Sequence, residues 1–189
     1  ENEEKRRREI PGWKDNVDGC PQKPEESFGE FLDGKASRNR DKPYLYHEDQ
    51  IVTYGDLKDK VSRVANAFLD LGIKKGDTLA VMMYNRPEYL YIIYAADTIA
   101  AIHVGINIAL KGEGLSYIIN QSDSETLVVQ QEFLENVEFV KQDLKCLKRI
   151  VVLSTAEAEG SLPDDCIPFK ELYQSSDRTP YIYRQPGDM

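Results

Sequence analysis

The chain has 189 residues, 41% of them hydrophobic and 30% charged, the composition of one folded globular domain or a piece of a larger one. Its net charge of −9 argues against a nucleic-acid surface, which needs clustered Lys and Arg against phosphates. Cys20, Cys146 and Cys166 are scattered and form no CxxC pair, which argues against a disulfide framework or a zinc site and fits a reducing, cytoplasmic compartment. His47 and His103 share no ligand-like spacing, and His103 alternates with apolar residues as a structural histidine does, so no metal site is expected.

Residues 1–24 read as an extended N-terminal arm. No apolar segment follows the start, so there is no signal peptide to read. The basic run 5–8 has the charge to touch an anionic membrane peripherally, but flanking acids nearly cancel it and a solvated end is expected. Pro11, Pro21 and Pro24 favour extended chain, with Trp13 pinned on the domain.

Residues 25–175 read as an α/β subdomain. A weakly amphipathic helix over 25–39 puts Phe28, Phe31 and Leu32 on one face. Two short strands, 44–47 and 51–54, flank Glu48-Asp-Gln50 and predict a hairpin. Thr53 caps the next helix, with Asp56 at the capping-box position. Leu57, Val61, Val64, Phe68 and Leu71 form its apolar stripe, and Gly72 ends it. The continuous apolar run 78–84 suits a strand buried on both faces. Asn85 is the expected N-cap of a helix over 86–100, with Pro87 in its first turn and Glu88 reaching back. That helix is apolar almost all round and is expected between layers.

The strand 102–108 follows, parallel to the first through a right-handed crossover. Residues 89–110 are long enough to span a bilayer. Asp97 inside that stretch costs about 2.5–3.5 kcal/mol, and Gly105 interrupts a β-branched run, so a buried helix and a strand are expected and no integral membrane span. A helix over 112–120, a strand over 126–130, a helix carrying Phe133, Val137, Val140 and Leu144, and a strand over 149–154 complete the alternation. Residues 156–165 read as a polar loop, 168–174 as one or two helical turns, and 176–189 as an extended linker. The pattern predicts a largely parallel sheet flanked by helices on both faces.

Four segments carry a family resemblance: Val52-Thr-Tyr-Gly-Asp-Leu57, Leu71-Gly-Ile-Lys-Lys-Gly-Asp77, Asn85-Arg-Pro-Glu88, and Ile106-Asn-Ile-Ala-Leu110 followed by Leu115. In this order and spacing the chain from Ser27 onward resembles the N-terminal part of the adenylate-forming acyl- and aryl-CoA synthetases. The resemblance implies an N-terminal subdomain of an enzyme that joins a carboxylic acid to ATP, giving an acyl-adenylate, and then to CoA, giving a thioester. ATP, CoA and magnesium are the implied cofactors. The segment 107–115 looks more like fatty-acyl and carnitine-type CoA ligases than peptide-synthetase adenylation domains. Three positions depart from the family: Ala100 stands where Gly is usual, and Gly105 and Ile108 where Pro is usual.

The family's Ser/Thr/Gly-rich phosphate loop, its ribose-binding Asp and its C-terminal catalytic Lys have no counterpart in these residues, and Lys75-Gly-Asp77 reads as a turn. No catalytic residue is therefore expected here. The fragment alone is expected to be inactive and to hold no cofactor, its partner being the remainder of its own chain; a homodimer is left open. Some relatives place a basic CoA-phosphate contact just after the Asn that ends the second strand. That position is Ala109 here, and Lys111, two residues on, is the candidate cofactor-binding residue, against the alternative of a solvated loop lysine. Two other readings stay open: an adenylation domain loading a carrier protein, and a non-catalytic α/β module used for binding or oligomerisation.

Overall fold

A strand with apolar side chains on both faces is stable only when both faces are covered. Three such strands form the middle of the molecule: β3 (Thr78–Met82), β5 (Thr126–Gln130) and β6 (Arg149–Leu153). The computed structural model describes residues 27–155 and 161–183. The expectations for the 1–24 arm, Trp13 and Cys20 lie outside them. With β4 (Ile102–Gly105) and β7 (Cys166–Pro168) at its edges, the five-stranded sheet runs in the order β4-β3-β5-β6-β7, every neighbouring pair parallel. A separate antiparallel hairpin, β1 (Pro43–His47) and β2 (Gln50–Thr53), turns at Glu48-Asp49, with Glu48 at φ 51°.

Alternate side chains divide the core in two. Leu79, Val81, Val128 and Val151 face a layer made by α1 (Phe28–Asn39), α2 (Tyr54–Asp70), α3 (Pro87–Thr98) and a 3-10 helix, Phe169–Gln174. Ala80, Met82, Leu127, Val129 and Val152 face α4 (Gly112–Gln121) and α5 (Leu134–Val140). This is the expected α/β architecture.

Local signals set the helix starts. Ser27 and Thr53 each complete a capping box, with Glu30 and Asp56 returning the bond to the cap N–H. Gly72 at φ 84° ends α2, and the Ile73 N–H reaches back to the Phe68 carbonyl at 2.9 Å.

Four expectations are corrected. Arg86, not Asn85, is the N-cap of α3; it makes no side-chain cap bond, and Glu88 instead pairs with Arg86 at 3.4 Å. Pro87 in the first turn removes one donor that a cap would have served. α3 is also buried on one side only: Ile92, Ala95 and Ala96 are in the core, while Ile93 is half-buried. β4 stops at Gly105 rather than continuing to 108, and as an edge strand it leaves Ile102 42% exposed. Beyond it the Asn107 carboxamide accepts from the Ala109 N–H at 2.9 Å and turns the chain out of the sheet. β7 was not anticipated: three residues ending in Pro carry no periodic signal, and only its pairing with β6 makes it a strand.

Residues 176–183 run extended across α1 and α2. The buried Thr179 hydroxyl bonds to the Ser62 hydroxyl at 2.9 Å and donates to Asp33 at 2.7 Å. Tyr181 donates to the other Asp33 oxygen, and Tyr183 to the Glu30 carboxylate that also caps α1. Among the described residues no helix is long and apolar enough to cross a membrane.

Candidate functional site

In an open parallel sheet the loops leaving the carboxyl ends of the strands form the ligand crevice, deepest where the strand order reverses. Here the chain leaves β3 toward β4 on one side and returns to β5 on the other, so the reversal lies between β3 and β5.

The loops at that point are tied together. Gln130 ends β5 and is 1% exposed. Its amide oxygen accepts from the Tyr84 backbone N–H at 3.1 Å, and its amide nitrogen donates to Glu132 at 2.9 Å. The same Glu132 oxygen accepts from the Thr155 hydroxyl at 3.0 Å, so the loops after β3, β5 and β6 share one polar clasp, buried at Gln130 and exposed at Glu132. No buried side-chain polar atom among the described residues is left without a partner, the Gln130 amide included. Above it Tyr84 is 48% exposed, its ring packed edge-on against Phe133 at 5.1 Å between centroids.

Lys111 lies at the same end of the sheet but not on a strand. It is the N-cap residue of α4, exposed, after the 106–110 turn. Ala109, the family's contact position, is exposed and engaged through its N–H with Asn107. Farther along the edge a cavity of about 530 Å³ opens between Glu88, Ser154, Phe169, Lys170 and Tyr173. Burial pushes the Tyr173 phenol far above its usual range, with the Glu88 charge adding to it. Beside β4, His103 bonds to the Tyr89 hydroxyl at 3.1 Å. Burial lowers the His103 pKa, an effect partly offset by the Asp97 charge.

This edge can bind and orient. Among the described residues no group of three His, Cys, Asp or Glu could hold a metal ion. Sequence reading offered Lys111 as a candidate and missed the clasp. Its one visible signal was a polar Gln closing the otherwise apolar run Thr126-Leu-Val-Val-Gln130.

Many curated proteins match the chain, and three of them illustrate the likeness, each over part of its length. It is 28% identical over 154 residues to 4-hydroxybutyrate–CoA ligase 2 of Metallosphaera sedula, covering 79% of this chain and 28% of that protein. To human long-chain fatty acid transport protein 6 it is 29% identical over 146 residues, 77% of this chain and 23% of that one. To crotonobetaine/carnitine–CoA ligase of Salmonella paratyphi B it is 35% identical over 91 residues, 48% and 18%. The chain thus spans about a quarter of the length of the curated relatives it matches. Among solved structures it superposes on the anthranilate–CoA ligase AuaEII, bound to anthranoyl-AMP, with a TM-score of 0.78 at 23% identity, covering 90% of this chain and 32% of that one. On the long-chain-fatty-acid–CoA ligase FadD1 of Archaeoglobus fulgidus the TM-score is 0.71 at 23% identity, covering 89% and 34%. These likenesses show the shared fold. The family model for the AMP-binding enzymes matches residues 32–183, nearly all of the described sheet and its helices. On that match the chain belongs to the AMP-binding enzyme family, whose members are adenylate-forming ligases.

Proposed function

We propose that this chain is the N-terminal subdomain of an AMP-forming acyl-CoA ligase of the fatty-acyl or carnitine type. The full-length protein activates a carboxylic acid with ATP, releasing pyrophosphate, and transfers the acyl group from AMP to the CoA thiol. The observation that carries the reading is the family match across 32–183, together with relatives named as CoA ligases of aliphatic acids. The described residues do not fit ATP phosphates or magnesium. They contain no phosphate-cradling glycine loop and no metal-holding cluster, so no step of the chemistry is assigned to them. Their part is to supply the sheet and its carboxyl-edge loops, with residues 176–189 connecting to the rest of the enzyme. Cysteine usage supports a cytoplasmic location.

The test is acid-dependent formation of acyl-CoA and AMP by the full-length protein across short, medium and long chains. Production of AMP and pyrophosphate without a thioester would overturn the ligase reading. The 189-residue chain alone is expected to release no pyrophosphate.

Lys111 is proposed as a CoA phosphate contact. Its position at the N-terminus of α4, on the carboxyl edge, supports this. An exposed lysine–phosphate contact is screened, so Lys111→Ala should cost about 0.2–1 kcal/mol. It should appear as a small rise in the CoA KM that shrinks with added salt. A CoA KM unchanged at low salt returns Lys111 to the solvated loop.

A further inference from the structure

We propose that Tyr84 is a stacking platform for the adenine ring of a nucleotide ligand at the reversal point of the sheet. The inference rests on the proposed ligase activity for the presence of such a ligand, since ATP and CoA both carry adenine. It goes beyond that reading by assigning a residue and a contact.

Three observations carry it. Tyr84 stands just past the end of β3, at the place where open parallel sheets receive ligands. Its ring is supported rather than free: Phe133 packs against one side at 5.1 Å, yet 48% of the residue's surface stays open. Its backbone is held by the 3.1 Å bond from its N–H to Gln130, whose side chain is buried and bonded in turn to Glu132. A half-open aromatic ring packed on Phe133, with its backbone bonded to a buried Gln130, loses little conformational entropy when a flat ligand settles on it. The open setting also selects the ligand. An acyl chain needs an enclosed apolar cleft, whereas a nucleobase stacks well on a ring that keeps one side in water. Lys111 stands at the same end of the sheet and supplies a cation for phosphates.

The experiment uses the full-length protein and its Tyr84→Ala and Tyr84→Phe variants. CoA and ATP binding are measured by calorimetry, which requires no turnover. KM is then measured for CoA, for ATP, and for 4′-phosphopantetheine, an acyl acceptor that lacks adenine. The expected result is CoA binding at least fivefold weaker in Tyr84→Ala, the low end of what stacking one base is worth. Tyr84→Phe should rescue it, and the KM for 4′-phosphopantetheine should rise much less than that for CoA. If the loss falls on ATP instead, the platform stands and ATP is the source of the adenine. Equal losses for CoA and 4′-phosphopantetheine, a fall in thermal stability without any selective loss, or unchanged binding of both nucleotides would overturn the proposal, as would a wild-type protein that binds neither. CoA binding without thioester formation would overturn the ligase reading while leaving the platform in place.

Discussion

β4 and β5 make an instructive pair. Both are apolar runs, both pair in parallel with β3, and both read from the sequence as strands of the parallel sheet. Every residue of β5 is buried, whereas β4 has none in the core and its Ile102 is 42% exposed. The difference is position. β5 has a strand on each side and helices above and below, while β4 has one neighbouring strand and an open edge. Composition makes a strand possible; the neighbours decide whether burial follows.

The largest expected effect contrasts the two strands directly. Val128→Asp, in the middle of β5, leaves an unpaired charge between two packed layers and should cost about 3–5 kcal/mol or prevent folding. Ile102→Asp on β4 should cost about 1 kcal/mol or less, as an exposed substitution does. Denaturant melts of the two variants decide it, and equal losses would break the comparison. The same logic divides α3. Ile92 is fully buried and Ile92→Ala should cost about 2–5 kcal/mol. Its half-buried neighbour Ile93 should cost about 1 kcal/mol on the same change.

A smaller effect, of opposite sign, lies at the turn into β4. Ala100 has φ 56°, a left-handed conformation that Gly adopts without penalty and Ala does not. Ala100→Gly relieves that strain but adds entropy to the unfolded chain, so a net stabilisation of about 0.5 kcal/mol is expected. A denaturant midpoint at or below wild type would show that the turn carries no strain.

The smallest effect concerns the caps. Bonds from the Ser27 backbone and the Tyr183 hydroxyl lower the Glu30 pKa, and bonds from Thr53 lower that of Asp56. A carboxyl whose folded pKa is depressed stabilises the protein above its unfolded pKa, near 4, and loses that contribution as pH falls through the lower folded value. Thermal stability should therefore drop below about pH 4, and less steeply in an E30Q/D56N double variant. Parallel acid profiles would remove the caps from the account.

Much of the fold was legible because it rests on short-range rules. The capping box at Thr53, the α2 stripe and the three interior strands follow from spacing within about a dozen residues. The candidate site was less legible because its parts are distant in sequence. Gln130, Tyr84, Glu132 and Thr155 meet only after β3, β5 and β6 lie side by side. None of the four carries a spacing that marks it as a partner of the others.

The sequence alone determined the α/β class, the order of the central elements and the resemblance to adenylate-forming enzymes, because hydrophobic period, caps and short motifs are local properties of the chain. Tertiary structure decided which apolar strand became an edge, which side of α3 entered the core, and that Cys166–Pro168 is a strand at all. It also decided that 176–183 is held on α1 and α2 by Thr179, Tyr181 and Tyr183 rather than standing clear of the subdomain. Each of these depends on contacts between residues far apart in the chain. A strand or tail with little local signal is stabilised only by the surface that folding places beside it.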